Sequence, residues 1–239
     1  MQELFQELGY TQDASGSYNH AERRIVVFLG DLGDRGPYSG QIFRMAMQMV
    51  SRGQALYTPG NHCNKLLRYL EGRSVRQSQG LAGTIRQVEE LEMVEPGFRS
   101  RLRLFIESAP TYLWLDEGNL VVAHAGIKEQ MIGRDSESVK RMCLYGDITG
   151  ERNADGTPVR LDWAQHYRGE AAIIYGHTPT PGPVWTNNTT NIDQGAAFGG
   201  WLTAMRWPDR EAVQVRAHMA YYKERTPLFI QEAGLEADH

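Results

Sequence analysis

Residues 25–37 read Ile25-Val26-Val27-Phe28-Leu29-Gly30-Asp31-Leu32-Gly33-Asp34-Arg35-Gly36-Pro37. The first five are apolar and mostly β-branched, the pattern of a short strand buried on both faces. Gly30 ends the run and leaves Asp31 at its carboxyl end. After the polar loop, Ile42, Phe43, Ala46, Met49 and Val50 recur at helical spacing, and Gly53 is placed to cap the segment. This is a β-loop-α unit, and its loop lies where open α/β sheets gather ligands.

The same alternation continues in both directions. Met1–Leu8 has helical character. Ala55–Thr58 is a second strand, Pro59-Gly60 turns the chain with Asn61 and His62 in the turn, and Lys65–Glu71 resumes a helix. From Leu81 to Glu107 two helices are broken at Pro96-Gly97. Tyr112–Leu115 and Leu120–Ala123 flank Asp116-Glu117-Gly118-Asn119, a hairpin turn, and His124 follows directly. Strands at 171–175, 183–186, 200–206 and 212–217 complete the second half. The implied architecture is α/β, two packed sheets flanked by helices, in one domain over 1–223 with a polar tail over 224–239.

Composition narrows the class. The chain has 239 residues, 41% of them hydrophobic, enough for a substantial core. A formal net charge of −4 argues against broad attraction to nucleic acid. Cys63 and Cys143 are too few and too far apart for a disulfide framework or a thiolate zinc site, which fits a reducing compartment, with cytoplasm as the expected location. No apolar run reaches the roughly 20 residues of a membrane helix, and Met1 opens into no signal peptide. The Asn187 and Asn188 sequons then carry little meaning.

Four polar stretches each follow an expected strand: Gly30–Pro37, Gly60-Asn61-His62, His124-Ala125-Gly126 and Gly176-His177-Thr178-Pro179. Singly, each has an ordinary structural explanation: a strand-end Asp caps a turn, a lone His is a hydrogen-bonded core residue, and Asp-Arg-Gly-Pro is an ion pair entering a tight turn. Together, one Asp, one Asn and two His form an oxygen and nitrogen set suited to Mn²⁺, Fe²⁺ or Zn²⁺. The adjacent glycines let backbone crowd around an ion. Asp34 is placed to pair with an imidazole, Arg35 offers a planar fork for two phosphate oxygens, and His62 is left as general acid.

The ordered series GDxxDRGP, GNH, HAG and GHTP resembles the calcineurin-like metallophosphoesterases, from Ile25 to about Arg216. The resemblance implies a four-layer αββα sandwich of two mixed sheets and a two-metal centre. It implies that Asp31 bridges both ions, that Asn61, His124 and His177 complete the second site, and that Asp193 is a further acidic residue near the metals. His62 matches the general acid, Asp34 the carboxylate that orients it, and Arg35, with Asn61 and His62, the phosphate contacts. Manganese is the expected ion, with Fe²⁺, Ni²⁺ or Zn²⁺ as alternatives. PGNHCNKLLRYLEGR, VVAHAGIKEQM, LYGDITGE with its following DGTPVR, and NNTTNIDQGAAFGGWLTAMR are similar to the phosphatase module of bacterial polynucleotide kinase-phosphatases and to bacterial dinucleoside tetraphosphatases, on a scaffold shared with serine/threonine protein phosphatases.

The sequence departs from that pattern in three places. The family's Asp-x-His-Gly motif and its strand are absent, so one ion rather than two is expected here, with a strand edge left unpaired. Cys63 stands where relatives carry an acidic residue and is expected to fill space. Gln194 stands where a small hydroxyl residue is usual. The expected activity is hydrolysis of phosphate esters by metal-activated water, against the alternative of a phosphate-binding remnant with weak turnover. Nucleic-acid ends, dinucleoside polyphosphates and phosphoproteins all stay open as substrates, as does a kinase domain fused or associated in a longer parent. Arg99, Arg101 and Arg103, and Lys65, Arg68, Arg73 and Arg76, are either polyphosphate contacts or solvated helix faces.

Overall fold

A computed structural model describes residues 1–14, 16–154, 156–223 and 226–235. Helix α1 (Gln2–Glu7) leads into a small hairpin, β1 (Tyr10–Gln12) and β2 (Tyr18–His20). Strand β3 (Val26–Leu29) pairs in parallel with β4 (Ala55–Thr58) across helix α2 (Ser39–Ser51), so the β-loop-α unit forms as the apolar spacing requires. Helices α3 (Asn61–Leu70), α4 (Gln79–Val94) and α5 (Phe98–Glu107) follow. Helix α3 starts earlier than the apolar spacing suggests: Asn61 and His62 form its first turn rather than the preceding loop.

Strands β5 (Leu113–Leu115) and β6 (Leu120–Val122) make the expected hairpin; helix α6 (Glu137–Tyr145) and a second small hairpin, β7 (Ile148–Arg152) with β8 (Pro158–Arg160), come next. The rest comprises β9 (Ala172–Tyr175), β10 (Trp185–Thr186), β11 (Thr189–Asn191), β12 (Asp193–Gln194), β13 (Trp201–Arg206), β14 (Glu211–Arg216) and helix α7 (Leu228–Leu235). A five-stranded mixed sheet has the order β10-β11-β9-β6-β5, and β12-β13-β14 form an antiparallel sheet.

Alternation along the strands fixes the layers. In β6, Val121 packs with Ile173, Val139, Met142 and Trp163, whereas Leu120 and Val122 pack on the opposite face with Ala172, Ile174, Val27 and Leu29. In β3, Phe28 turns the other way, into the core formed by α2 to α5 with Phe43, Met49, Leu66 and Leu102. Helices, strand β3, the central sheet and α6 are therefore stacked in that order, an αββα sandwich whose period-2 strands feed two cores.

The second sheet is divided. Strand β3 has β4 on one edge, and β13 meets β12 only at Trp201 and Leu202. Among the described residues no strand joins the free edges of β3 and β13. Between them lies a cavity of about 1220 Å³, floored by Leu120, Val122 and Ile174 and reaching Leu4 and Phe5 of α1. The unpaired edge expected from the sequence is at this place.

The polar tail expected over 224–239 is in part a helix. Residues 228–235 are α7, and Ile230 reaches Gly195 and Gly200, where the absence of side chains leaves room for it. Apolar Leu228, Phe229 and Ile230 supply the reason. Residues 224, 225 and 236–239 of that span lie outside the described residues.

Candidate metal centre

Four strand ends deliver the site. Asp31 follows β3, Asn61 and His62 open α3 just after β4, His124 follows β6 and His177 follows β9. Two of these ends, and the loop that follows Asp31, are too tight for ordinary dihedrals: Asp31, Asp34, Arg35 and His177 adopt φ of 45, 73, 66 and 77°. Non-glycine residues pay about 1–3 kcal/mol for such conformations, and several such residues in one place point to a functional site. Gly60 makes the close approach possible, since a Cβ there would sit 2.1 Å from Asp31 Oδ1. That oxygen also accepts the His62 backbone N–H at 3.0 Å, so the carboxylate caps the positive end of α3.

Asp31, His124 and His177 bring one ligand atom each within 4.8 Å of one another. Asn61 Oδ1 lies 3.1 Å from His124 Nε2 and 2.9 Å from His177 Nδ1; those two nitrogens are 3.0 Å apart, and Asp31 Oδ2 is 3.3 Å from His124 Nε2. The protons do not account for this arrangement. His124 Nδ1 lies 3.1 Å from the Leu29 carbonyl oxygen, which can only accept, so Nδ1 carries the proton of the neutral ring and Nε2 is a bare lone pair. No placement of protons on the two rings gives each of the four contacts both a donor and an acceptor. A cation among them satisfies every one, and the donor set of one carboxylate, one amide oxygen and two imidazoles fits a first-row divalent ion.

Burial would raise the Asp31 pKa, but His124, His62 and His177 beside it hold its carboxyl well below the usual range. Burial opposes the His124 imidazolium, yet the Asp31 carboxylate prevails and raises its pKa. Burial, with His124 and Arg160 nearby, lowers His177 to about 3. Asp193 lines the same cavity and accepts the Gly195 N–H at 3.0 Å, but it stands outside the converging set; burial and the Asp31 charge raise its pKa.

The residues expected to handle protons form a second chain of contacts. Asp34 Oδ2 is 2.6 Å from His62 Nδ1, and Thr84, buried on α4, donates to Asp34 Oδ1 at 3.0 Å while accepting the Asp34 N–H at 2.9 Å. His62 Nε2 lies 3.2 Å from Arg35 Nη2. Two residues escape the sequence reasoning. Thr84 occupies the buried stripe of Leu81, Ile85 and Val88, and a hydroxyl at such a position is the available signal. Arg160 lines the cavity from β8, half-buried, with burial lowering its pKa and a hydrogen bond to the Tyr145 carbonyl. It ends DGTPVR, a stretch similar to relatives, but nothing in that stretch places Arg160 in the cavity.

The other singled-out residues fall elsewhere. Cys63 is buried in the helical core, where burial raises its thiol to about 11, and it fills space beside Tyr57. Gln194 is buried; its amide donates to Asn191 O at 2.9 Å and Thr180 Oγ1 at 3.2 Å and accepts from Thr203. Arg99, Arg101 and Arg103 pair with Glu89, Glu95 and Glu107, and Arg73 with Glu71, as solvated helix faces do.

The model of the calcineurin-like phosphoesterase family matches residues 2–181. The chain belongs to that family. It is therefore a phosphoesterase, an enzyme that hydrolyses phosphate esters, and its family is one of divalent-metal enzymes. A relative from Bacillus velezensis, named asymmetrical bis(5′-nucleosyl)-tetraphosphatase PrpE, is 48% identical over 236 residues, covering 98% of this chain and 93% of its own. One of the same name from Anoxybacillus flavithermus is 47% identical over 223 residues, 93% of this chain and 91% of its own. These relatives extend too little beyond the match to include a kinase domain, so they lend the kinase-fused reading no support. A crystal structure described as a diadenosine tetraphosphatase superposes with a TM-score of 0.61 at 20% identity, covering 90% of this chain and 86% of that one, and so shares the fold. Among the described residues no helix is long and apolar enough to cross a membrane.

Proposed function

We propose that this phosphoesterase cuts a dinucleoside tetraphosphate asymmetrically, at a divalent ion held by Asp31, Asn61, His124 and His177. The observation that carries the reading is the set of four converging acceptor groups in one cavity with Arg35, His62 and Arg160. The relatives' name supports the substrate class, at 47–48% identity. Manganese is the proposed ion. Asp31 and Asp193 are what the described residues offer a second ion, so one ion is proposed to bind far more tightly than any other.

The ion, when bound, supplies Lewis-acid polarisation of a phosphoryl oxygen and lowers the pKa of water. The chain's residues do the rest. Arg35 grips phosphate oxygens with its in-plane donors. Asp34 accepts the proton on His62 Nδ1 and so leaves Nε2 as the atom that would face the leaving oxygen. Arg160 gives a second cation for an extended polyphosphate, and Asn61 and His62, on the first turn of α3, place phosphate near the positive end of that helix.

An asymmetric cut of four phosphates leaves a nucleoside triphosphate and a nucleoside monophosphate. Incubating the chain with diadenosine tetraphosphate and Mn²⁺ and separating the products by anion exchange should give ATP and AMP in equal amounts. Two ADP molecules, or faster release from a phosphopeptide or a 3′-phosphorylated oligonucleotide, overturns the assignment.

A further inference from the structure

Arg35 is seated against two aromatic rings that no part of the reaction described above uses. Its guanidinium carbon lies 5.2 Å from the centroid of Phe198 and 5.3 Å from that of Tyr222. The two rings are 6.0 Å apart with planes at 68°, so together they form a corner that holds the cation from two sides. We infer that Phe198 and Tyr222 are positioning residues, which fix the Arg35 guanidinium so that its edge donors meet a phosphate group.

The corner is built by the backbone, from distant parts of the chain. Phe198 closes the short turn Ala196–Phe198, where its N–H bonds to Gly195 O at 2.8 Å; glycines at φ 71 and 93° stand on either side of the turn. Phe198 is itself buried. Tyr222 lies beyond β14, tied to that turn by its own N–H on Ala197 O at 2.9 Å, and Ala217 N–H on Gly200 O fixes the approach at 2.9 Å. Arg35 has a φ of 66° in a glycine-flanked loop, so its backbone alone does not fix where a long side chain ends.

A free arginine side chain loses considerable rotamer freedom when it binds a ligand. A guanidinium is flat with its donors at the edge, and two rings at 68° bound it on two sides through their π faces rather than through hydrogen-bond acceptors. Cation–π contact attracts the charge without competing for those donors. The aromatic corner thus orders Arg35 before phosphate arrives, which raises affinity without adding any contact to the ligand. This inference rests on the assignment of Arg35 as a phosphate contact.

The test uses the Mn²⁺-loaded chain and inorganic phosphate, with affinity measured by calorimetry and Arg35 side-chain order by ¹⁵N relaxation at Nε. Tyr222 is only partly buried and is the safer position to change. Tyr222→Leu should weaken phosphate binding by roughly fivefold to tenfold and lower Nε order, whereas Tyr222→Phe, which keeps the ring, should match the parent. In an Arg35→Ala background, Tyr222→Leu should have no further effect. Unchanged phosphate affinity in Tyr222→Leu, or an added loss in the Arg35→Ala background, overturns the positioning role. If Phe198→Leu weakens dinucleoside tetraphosphate but leaves inorganic phosphate untouched, that ring contacts the nucleoside and the inference is wrong. Arg35→Ala with parental phosphate affinity overturns the assignment of Arg35 itself, and this inference with it.

Discussion

Replacing Gly60 with alanine should empty the metal site while leaving the fold intact. Gly60 has φ −103° and ψ 178°, dihedrals any residue adopts, so the substitution costs no backbone strain. Its whole effect is steric. The new Cβ would lie 2.1 Å from Asp31 Oδ1 and 2.7 Å from the Asp31 backbone nitrogen, whereas ordinary contact begins near 3.4 Å. The carboxylate must retreat by about 1.3 Å, several times the ~0.2 Å tolerance of a metal–ligand distance. Mn²⁺ affinity should fall by at least about 100-fold, the upper end for losing a group that merely orients a ligand. The retreat also breaks the Oδ1 bond to His62 N–H, a charged acceptor whose loss costs about 1.5–3 kcal/mol, or roughly 3–10 °C in Tm for a chain of this size. Calorimetric titration with Mn²⁺ and thermal unfolding of the metal-free protein read the two effects separately. Gly83→Ala is the control: in α4, with nothing within 4 Å of its Cβ, it should stabilise by about 0.5–1 kcal/mol and leave metal affinity alone. If Gly60→Ala binds Mn²⁺ within threefold of the parent, the contact does not hold Asp31 in the site and the reasoning fails.

His62→Ala should slow hydrolysis of alkyl phosphates by about 10²–10⁴-fold and of nitrophenyl phosphate much less, since an acidic leaving oxygen needs little protonation; equal losses would remove His62 from the general-acid role. Thr84→Val deletes both hydrogen bonds to Asp34 and should cost about 2 kcal/mol of stability with a smaller version of the same leaving-group pattern, to be read from denaturant unfolding and the two substrates. The pH dependence of the metal-free protein follows from His177. Its folded pKa is lowered to about 3 from 6.5, so the unfolded chain takes a proton first as pH falls. The stability it contributes is full above pH 6.5 and is lost progressively as pH falls toward 3, at up to about 1.4 kcal/mol per pH unit. Comparing unfolding of the parent and His177→Asn across that window should show the parent's slope to be steeper by about one proton, and parallel curves would contradict it.

The sequence shows the strands more clearly than their neighbours. Val26–Leu29, Ala55–Thr58 and Leu120–Val122 are legible because each packs into a core on both faces, so apolar residues run without interruption. The hairpins of β1 with β2 and β7 with β8 are not, because Tyr10–Gln12 and Ile148–Arg152 are mostly exposed and carry no apolar period. Helix α6 hides for a different reason: Val139, Met142, Cys143 and Leu144 are spaced helically, but charged Lys140 and Arg141 break the run, and only the Ser136 cap bond to the Val139 N–H marks its start. The Asp31, Asn61, His124 and His177 set is legible since each follows a strand and is bracketed by glycine. Thr84, Phe198, Tyr222 and Arg160 reach the site through tertiary approach across distant segments, which no local pattern encodes.

That division has a physical origin. Ligand-bearing turns that crowd together leave a mark in the sequence, because glycine stands where they approach most closely: Gly30 against Gly60 and His124, Gly60 against Asp31, and Gly176 against Asp193. Residues that only lend a ring or a hydroxyl from a regular element need no such companion. The strain at Asp31, Asp34, Arg35 and His177 is sustained by backbone pairing around it, with Gly176 N–H on His124 O at 2.8 Å and His124 Nδ1 on Leu29 O joining the ends of three strands. Those bonds hold the Asp31, Asn61, His124 and His177 side chains together in a buried place, where a cation would satisfy all four. Ion binding there would stabilise the fold through the same contacts that would place the ion for catalysis.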